Sequence, residues 1–353
     1  MAWYNTSWLD RVKITVDHTK VGANQTNFPV YVNLANLPAG FFSNVRTDGG
    51  DIRITQSDGT TELAREVVAI DTTAKTGELH FNGNSLSSTV DTIFYIYFNN
   101  PSATEPAANA TYGKYNVWDS NFLYVGHFQG NSNDSTSNQF NGTDTAMTYG
   151  TAYQKLSGQG ASLNGTTSQI DLGTSSTLNP TAVTVEGWGY ITSLAQAYNS
   201  FIQRYAASIV PYQLMVKSNG LLAMFFDATT RISYDGTGSH TLSINTYYYL
   251  VGAYDSTNGL AAYVNGASDK TVAANGNLAL SSTAHTLFGN DDIDASRFWP
   301  GYMDEVRISK IARSSTWIST QYNNQNSPST FYSVGAQEAL PSLGGTLSLM
   351  GVG

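Results

Sequence analysis

Short runs of alternating apolar and polar residues set the pattern of this chain from its first strand onward. In residues 11–17 (RVKITVD), Val12, Ile14 and Val16 share one face, and residues 28–34 (FPVYVNL) repeat the period of two. The pattern predicts further strands at 51–55, 66–70, 78–82 and 92–98. The last of these, TIFYIYF, is apolar throughout, as expected of a strand covered on both faces. After a Pro/Ala/Asn-rich stretch without periodicity (PSATEPAANATY, residues 101–112), strand signals resume at 122–128, 161–163, 169–172, 183–191, 200–203 and 212–217. They continue at 221–226, 247–254, 260–264 and 285–288, with Gly beside Asn, Asp or Ser in most gaps. No long helical period interrupts them. The prediction is an all-β chain of two β-sandwich domains, the second a jelly roll. Its expected limits are 1–105 for the first domain, 106–117 for the linker, 118–338 for the jelly roll, and 339–353 for an apolar Gly-rich tail.

Composition sharpens this picture. Charged residues make up 12% of the chain and aromatics 12%. About a quarter charged is usual, so solubility here rests on hydroxyls and amides. The 17 basic and 26 acidic residues give a net charge of −9 with no basic run, which argues against nucleic acid as a partner. Cysteine is absent, which excludes disulfides, thiolate metal sites and a cysteine nucleophile. No window approaches the roughly 20 apolar residues of a membrane span, and the first residues lack the apolar core of a secretory signal. The expected location is therefore a virion surface or the extracellular space, without membrane insertion.

Ordered motifs carry two resemblances. WYNTSWLDRVKITVDHTKV, TNFPVYVNL, GGDIRITQSDGTTELAREV and DTIFYIYFNNPSA, at about 3–105, resemble a domain of unknown function found ahead of jelly rolls in bacterial, archaeal and phage surface proteins. VGHFQGNSNDSTSNQFNGT, TAVTVEGWGYI, YYYLVGAYDSTNGLAAYVNGA, TLFGND and GYMDEVRISKIAR, at about 118–336, resemble the laminin-G-like, concanavalin A-like lectin/glucanase jelly rolls. That second resemblance implies the fold, but its members include lectins, hydrolases, protein-binding modules and spacers. It also implies that the aspartate of the closing strand, Asp304, could ligate a structural calcium.

Individual sites are less distinct. A glycosidase needs two carboxylates flanking one bond. Glu186 is followed on its face by Trp188 and Tyr190, read as core packing, while alternation points the neighbours Asp304 and Glu305 to opposite faces. The chain is therefore read as no enzyme. Oxygen-rich spacing adds Asp292 and Asp294 to Asp304 as candidate calcium ligands. Candidate sugar contacts are Tyr198, Tyr205, Tyr234 and Trp299 for stacking, with Asn290 and Arg297 for hydroxyls. His18 and His80 stand alone and are read as structural. These features predict a non-enzymatic surface or virion protein whose jelly roll binds a glycan or another cell-surface ligand. The alternative is a spacer that assembles as a homo-oligomer or with a virion partner through the apolar tail, and a polysaccharide hydrolase is a distant third.

Overall fold

The structure, a computed structural model, describes residues 2–206, 209–228, 230–291 and 296–341. The expected tail lies almost wholly outside the described residues, as do Asp292 and Asp294.

Alternation decides the first unit. Val12, Ile14 and Val16 are fully buried in the strand Asp10–Val16. This strand lies in a five-stranded sheet ordered Tyr332–Ala339, Asp10–Val16, Thr92–Phe98, Arg53–Gln56, Glu62–Leu63. Across a shared core stands a three-stranded sheet, Gln25–Asn33, Thr76–Leu86, Arg65–Asp71, which contributes Phe28, Val30, Val32, Leu79 and Phe81. Thr92–Phe98 is covered on both faces, as its composition predicts. Phe94, Ile96 and Phe98 enter the core, while Tyr95 and Tyr97 pack with Trp8 beneath the Arg11 guanidinium, 4.2 Å from the Tyr95 ring.

The second unit is the expected jelly roll. Its front sheet runs Thr148–Gly150, Gly160–Asn164, Pro300–Ser309, Val183–Ile191, Tyr247–Asp255, Gly259–Val264, Ala267–Val272, with Phe122–Gly126 also paired to Pro300–Ser309. The back sheet runs Arg231–Asp235, Leu222–Asp227, Ile209–Lys217, Tyr198–Ala206, His285–Phe288, Gln169–Asp171, Thr143–Thr145. Between them lie Val185, Leu250, Met303, Val306 and Ile308 against Phe201, Leu214, Phe226 and Trp299. Two glycines of Val183–Ile191 make room for these side chains: a Cβ on Gly189 would stand 2.9 Å from Trp299, and one on Gly187 2.9 Å from Val306.

The two units share one core. Trp188, Tyr249, Val251 and Tyr263, on the outer face of the front sheet, join the hydrophobic cluster of the first unit. The segment after the closing strand is a helix, Ser315–Asn326, whose first turn is capped by Ser314 Oγ accepting from Trp317 N at 3.1 Å. The helix bridges the units. Asn324 brackets the Tyr31 backbone, accepting from its N–H at 2.7 Å and donating to its carbonyl at 2.9 Å, while Gln325 accepts from Trp188 Nε1 at 2.7 Å. The chain then pairs Tyr332–Ala339 with Asp10–Val16 as the edge of the first sheet, so the expected limit at 338 falls inside a strand. Among the described residues no helix is long and apolar enough to cross a membrane.

Candidate functional site

The candidate sugar contacts do not form one site. Trp299 is fully buried against Phe201, and Tyr234 is 1% exposed with its hydroxyl on Asp269. Both belong to the core, because inward positions of the sandwich take the large rings, and neither offers a face to a sugar. Tyr198 is half-buried on the back sheet, with Arg297 5.1 Å and Lys217 5.4 Å from its ring centroid. Arg297 also pairs with Asp291 at 3.0 Å, and Asn290 donates to Gln169. Tyr205 stands half-buried on the strand Tyr198–Ala206.

The closing strand departs from simple alternation. Opposite Val183–Ile191 the register shifts, so that Arg307 faces Glu186 while Asp304 faces Trp188. The extra residue is a β-bulge at Glu305, whose φ is +52°. Met303 and Val306 both enter the jelly-roll core, leaving Asp304 and Glu305 together on the outer face. The expectation that these two carboxylates point to opposite faces is thereby corrected. Both are 1% exposed, roofed by the first unit.

Asp304 serves as a loop anchor. Its Oδ2 accepts from the backbone N–H of Lys155 at 2.7 Å and of Leu156 at 2.9 Å. Burial, then the nearby Glu305 and Glu78, push its carboxyl well above the ordinary carboxylate range.

Glu305 belongs to a different group. It contacts His127 Nδ1, accepts from Arg307 Nη2, and accepts from Gln325 Nε2 at 3.3 Å. From the first unit come Glu78 and His80, two residues apart on one face of Thr76–Leu86, with Glu78 Oε1 2.9 Å from His80 Nε2 and 3.5 Å from His127 Nδ1. Glu78, His80, His127 and Glu305 are all buried, and one ligand atom of each lies within 4.8 Å of the others, so the cluster could hold a metal ion. Burial alone would depress His127, but Glu305 and Glu66 outweigh it and hold the imidazole well above its ordinary value. Burial likewise opposes the ionisation of Glu305, and His127, Arg307 and His80 overcome it. Reading His80 as a lone structural residue overlooked this group because its members are scattered between positions 78 and 305.

Beside this cluster, the two units leave an open groove of about 600 Å³. The first unit contributes Asn33, Asp71 and Thr76, the jelly roll Thr151, Gln154, Lys155 and Ser157, and the bridging helix Gln325 and Asn326. Lys155 is held over Trp188 at 4.5 Å and donates to Asn326 at 3.0 Å. Tyr153, between the groove residues Thr151 and Gln154, begins a row of half-buried tyrosines. Its ring lies 4.9 Å from Tyr302, which stacks on Tyr190 at 4.9 Å, and Tyr190 meets Tyr247 at 5.0 Å. Tyr190 is directly opposite both partners in the sheet register, so the row crosses three strands. Tyr190, expected in the core, belongs to this half-exposed row.

Residues 164–319 match the concanavalin A-like lectin/glucanases superfamily. Among solved structures, domain 4 of AbnA, a GH43 extracellular arabinanase from Geobacillus stearothermophilus in complex with arabinotriose, is 19% identical over 56% of this chain and 96% of its own length, with a TM-score of 0.47. The binding domain of Paraclostridial mosquitocidal protein 1 is 13% identical over 57% of this chain and 52% of its own, with a TM-score of 0.47. The binding domain of botulinum neurotoxin serotype G is 13% identical over 59% and 52%, with a TM-score of 0.46. This chain thus spans about half the length of the two toxin domains it matches. The comparison with curated proteins found no match.

Proposed function

From the premise that residues 164–319 form a concanavalin A-like lectin/glucanase domain, we propose that this protein is a non-catalytic binding module for a neutral, hydroxyl-rich surface ligand, a glycan, held in the groove between its two units. The observation that carries this reading is the groove's lining. Eight of its fourteen lining residues carry an amide or a hydroxyl, and its Asp71 and Lys155 have charges that cancel. Such a wall offers donors and acceptors for sugar hydroxyls and no net charge for an ionic ligand. The tyrosine row starting at Tyr153 extends the surface with half-exposed rings, which favour the apolar faces of sugars.

The non-catalytic part of the reading rests on the front sheet. Its carboxylates Glu186, Asp304 and Glu305 lie on one face, as a hydrolytic pair would require, but each is at most 1% exposed under the first unit. A polysaccharide has no approach to them. The reading places the protein at an extracellular or virion surface, where glycans are displayed.

A glycan array followed by calorimetric titration of the best ligand tests this. Asp71→Ala and Gln154→Ala should each weaken binding at least tenfold, while Tyr198→Ala on the back sheet should not. No binding across a broad array refutes the glycan reading. Loss in Tyr198→Ala with the groove variants unaffected moves the ligand to the back sheet and refutes the groove.

A further inference from the structure

We propose that the buried group Glu78, His80, His127 and Glu305 is a site for a divalent transition-metal ion of the zinc type, which pins the first sandwich to the jelly roll. The donors divide evenly: Glu78 and His80 come from Thr76–Leu86, His127 follows Phe122–Gly126, and Glu305 is the bulge of Pro300–Ser309. The geometry that collects them is specific. Strand alternation puts Glu78 and His80 on one face, and the bulge turns Glu305 toward them where an unbroken strand would turn it into the jelly-roll core.

The donor chemistry selects the ion. Two imidazoles and two carboxylates make a closed set of four nitrogen and oxygen ligands, the number a structural zinc site takes. Calcium and magnesium prefer cages of oxygen alone. Calcium is therefore not the ion these residues fit, and Asp304, the one described member of the expected calcium set, lies outside the four, with its Oδ2 taken by the Lys155 and Leu156 amides.

Two further observations point to a ligand here. The first is the shell behind the donors. Glu66 Oε2 faces His127 Nε2 at 3.5 Å, an ionic contact that is not a hydrogen bond, and Glu66 is itself fixed by Trp118 Nε1 at 2.8 Å and Ser135 Oγ at 2.6 Å. A carboxylate behind a histidine, with the other ring nitrogen turned to the cluster, is the arrangement that orients metal-bound imidazoles. His80 is fully buried with Nε2 in the cluster and Nδ1 without a hydrogen-bond partner. The second is access, because a cavity of about 220 Å³ lined by Glu66, His127, Gln129 and Asn133 opens onto one of the four donors, His127. This inference does not depend on the groove or its ligand.

The full chain, stripped with EDTA and dialysed, is titrated with zinc and with cobalt(II). The expected result is one equivalent bound per chain, a visible cobalt spectrum of a four-coordinate site, and a melting temperature raised by zinc but not by calcium or magnesium. Glu66→Gln should weaken zinc binding about 10- to 100-fold. His80→Gln/His127→Gln should abolish it, with circular dichroism in EDTA checking that the variant is folded. His18→Asn, which disables the exposed group Asp17, His18 and Asp91, should bind as the native chain does. The proposal is overturned if the native chain binds no stoichiometric metal, since imidazolium–carboxylate pairs then hold the cluster. It is equally overturned if calcium stabilises as zinc does, or if His18→Asn loses the ion while the double variant keeps it.

Discussion

Replacing Asp304 separates its role as an acceptor from its charge. Asp304→Ala removes the acceptor of two buried N–H groups, those of Lys155 and Leu156. Each orphaned group costs about 1–3 kcal/mol, or about 2–6 kcal/mol together. At about 2.1 cal/mol/K of unfolding entropy per residue, 353 residues give about 0.7 kcal/mol/K. A single cooperative transition, which the shared core implies, should then melt about 3–8 °C lower. Asp304→Asn keeps an acceptor oxygen and replaces a carboxyl whose ionisation its burial and the facing carboxylates oppose, so it should cost at most about 1 kcal/mol. Differential scanning calorimetry in EDTA at pH 7 reads both. An Asn variant as unstable as the Ala variant would show that the carboxylate is ionised, and an Ala variant within about 1 °C of the native chain would remove Asp304 as an anchor. Either result refutes the argument.

Three further outcomes follow from buried polar contacts. Asp269 feels burial, which raises its carboxyl, but hydrogen bonds from Tyr234, His240 and Ser239 outweigh it and hold it below the ordinary value. Its stabilising contribution is therefore full above the unfolded carboxylate value of about 3.9 and is lost as pH falls through the lower folded value. Asp269→Asn should flatten the acid limb of a stability–pH curve measured by urea denaturation. Arg313→Met leaves Asp119, whose side chain accepts two hydrogen bonds of 2.9 Å from that guanidinium, without its partner, and should cost about 3–5 kcal/mol by the same assay. Tyr332→Phe removes the oxygen that accepts from Asn33 N at 3.0 Å and Asn36 Nδ2 at 3.2 Å. It should cost about 1–3 kcal/mol and speed amide exchange at Asn33 in the first unit.

Much of the fold was legible in the chain's alternation. Val183–Ile191 and His285–Phe288 match the sequence reading at both ends. The bridging helix was not legible, because the side it buries includes Thr320, Gln321, Asn324 and Gln325 beside Trp317 and Ile318, so no apolar stripe marks it. The bulge did leave a trace: Met303, Val306 and Ile308 miss a period of two by one residue, which is what an inserted residue does to a strand. Taken as mere imperfection, that trace gave the wrong faces for Asp304 and Glu305. The histidine–glutamate cluster could be read only in part, since Glu78 and His80 share one strand face two residues apart, while His127 and Glu305 join them only through the packing of the two units. The groove is equally a product of that packing, with its wall drawn from four separate stretches of chain.

The pairing of Tyr332–Ala339 with Asp10–Val16 also fixes how the protein bears mechanical load. Because the strands are antiparallel, with Asp10 opposite Ala339 and Val16 opposite Tyr332, Asp10 and Ala339 leave the sheet at the same corner. Tension drawn between Asp10 and Ala339 peels the edge strand away one rung at a time, so the sheet yields at low force under that load. A pull on Asp10 or Ala339 alone leaves the rungs unloaded.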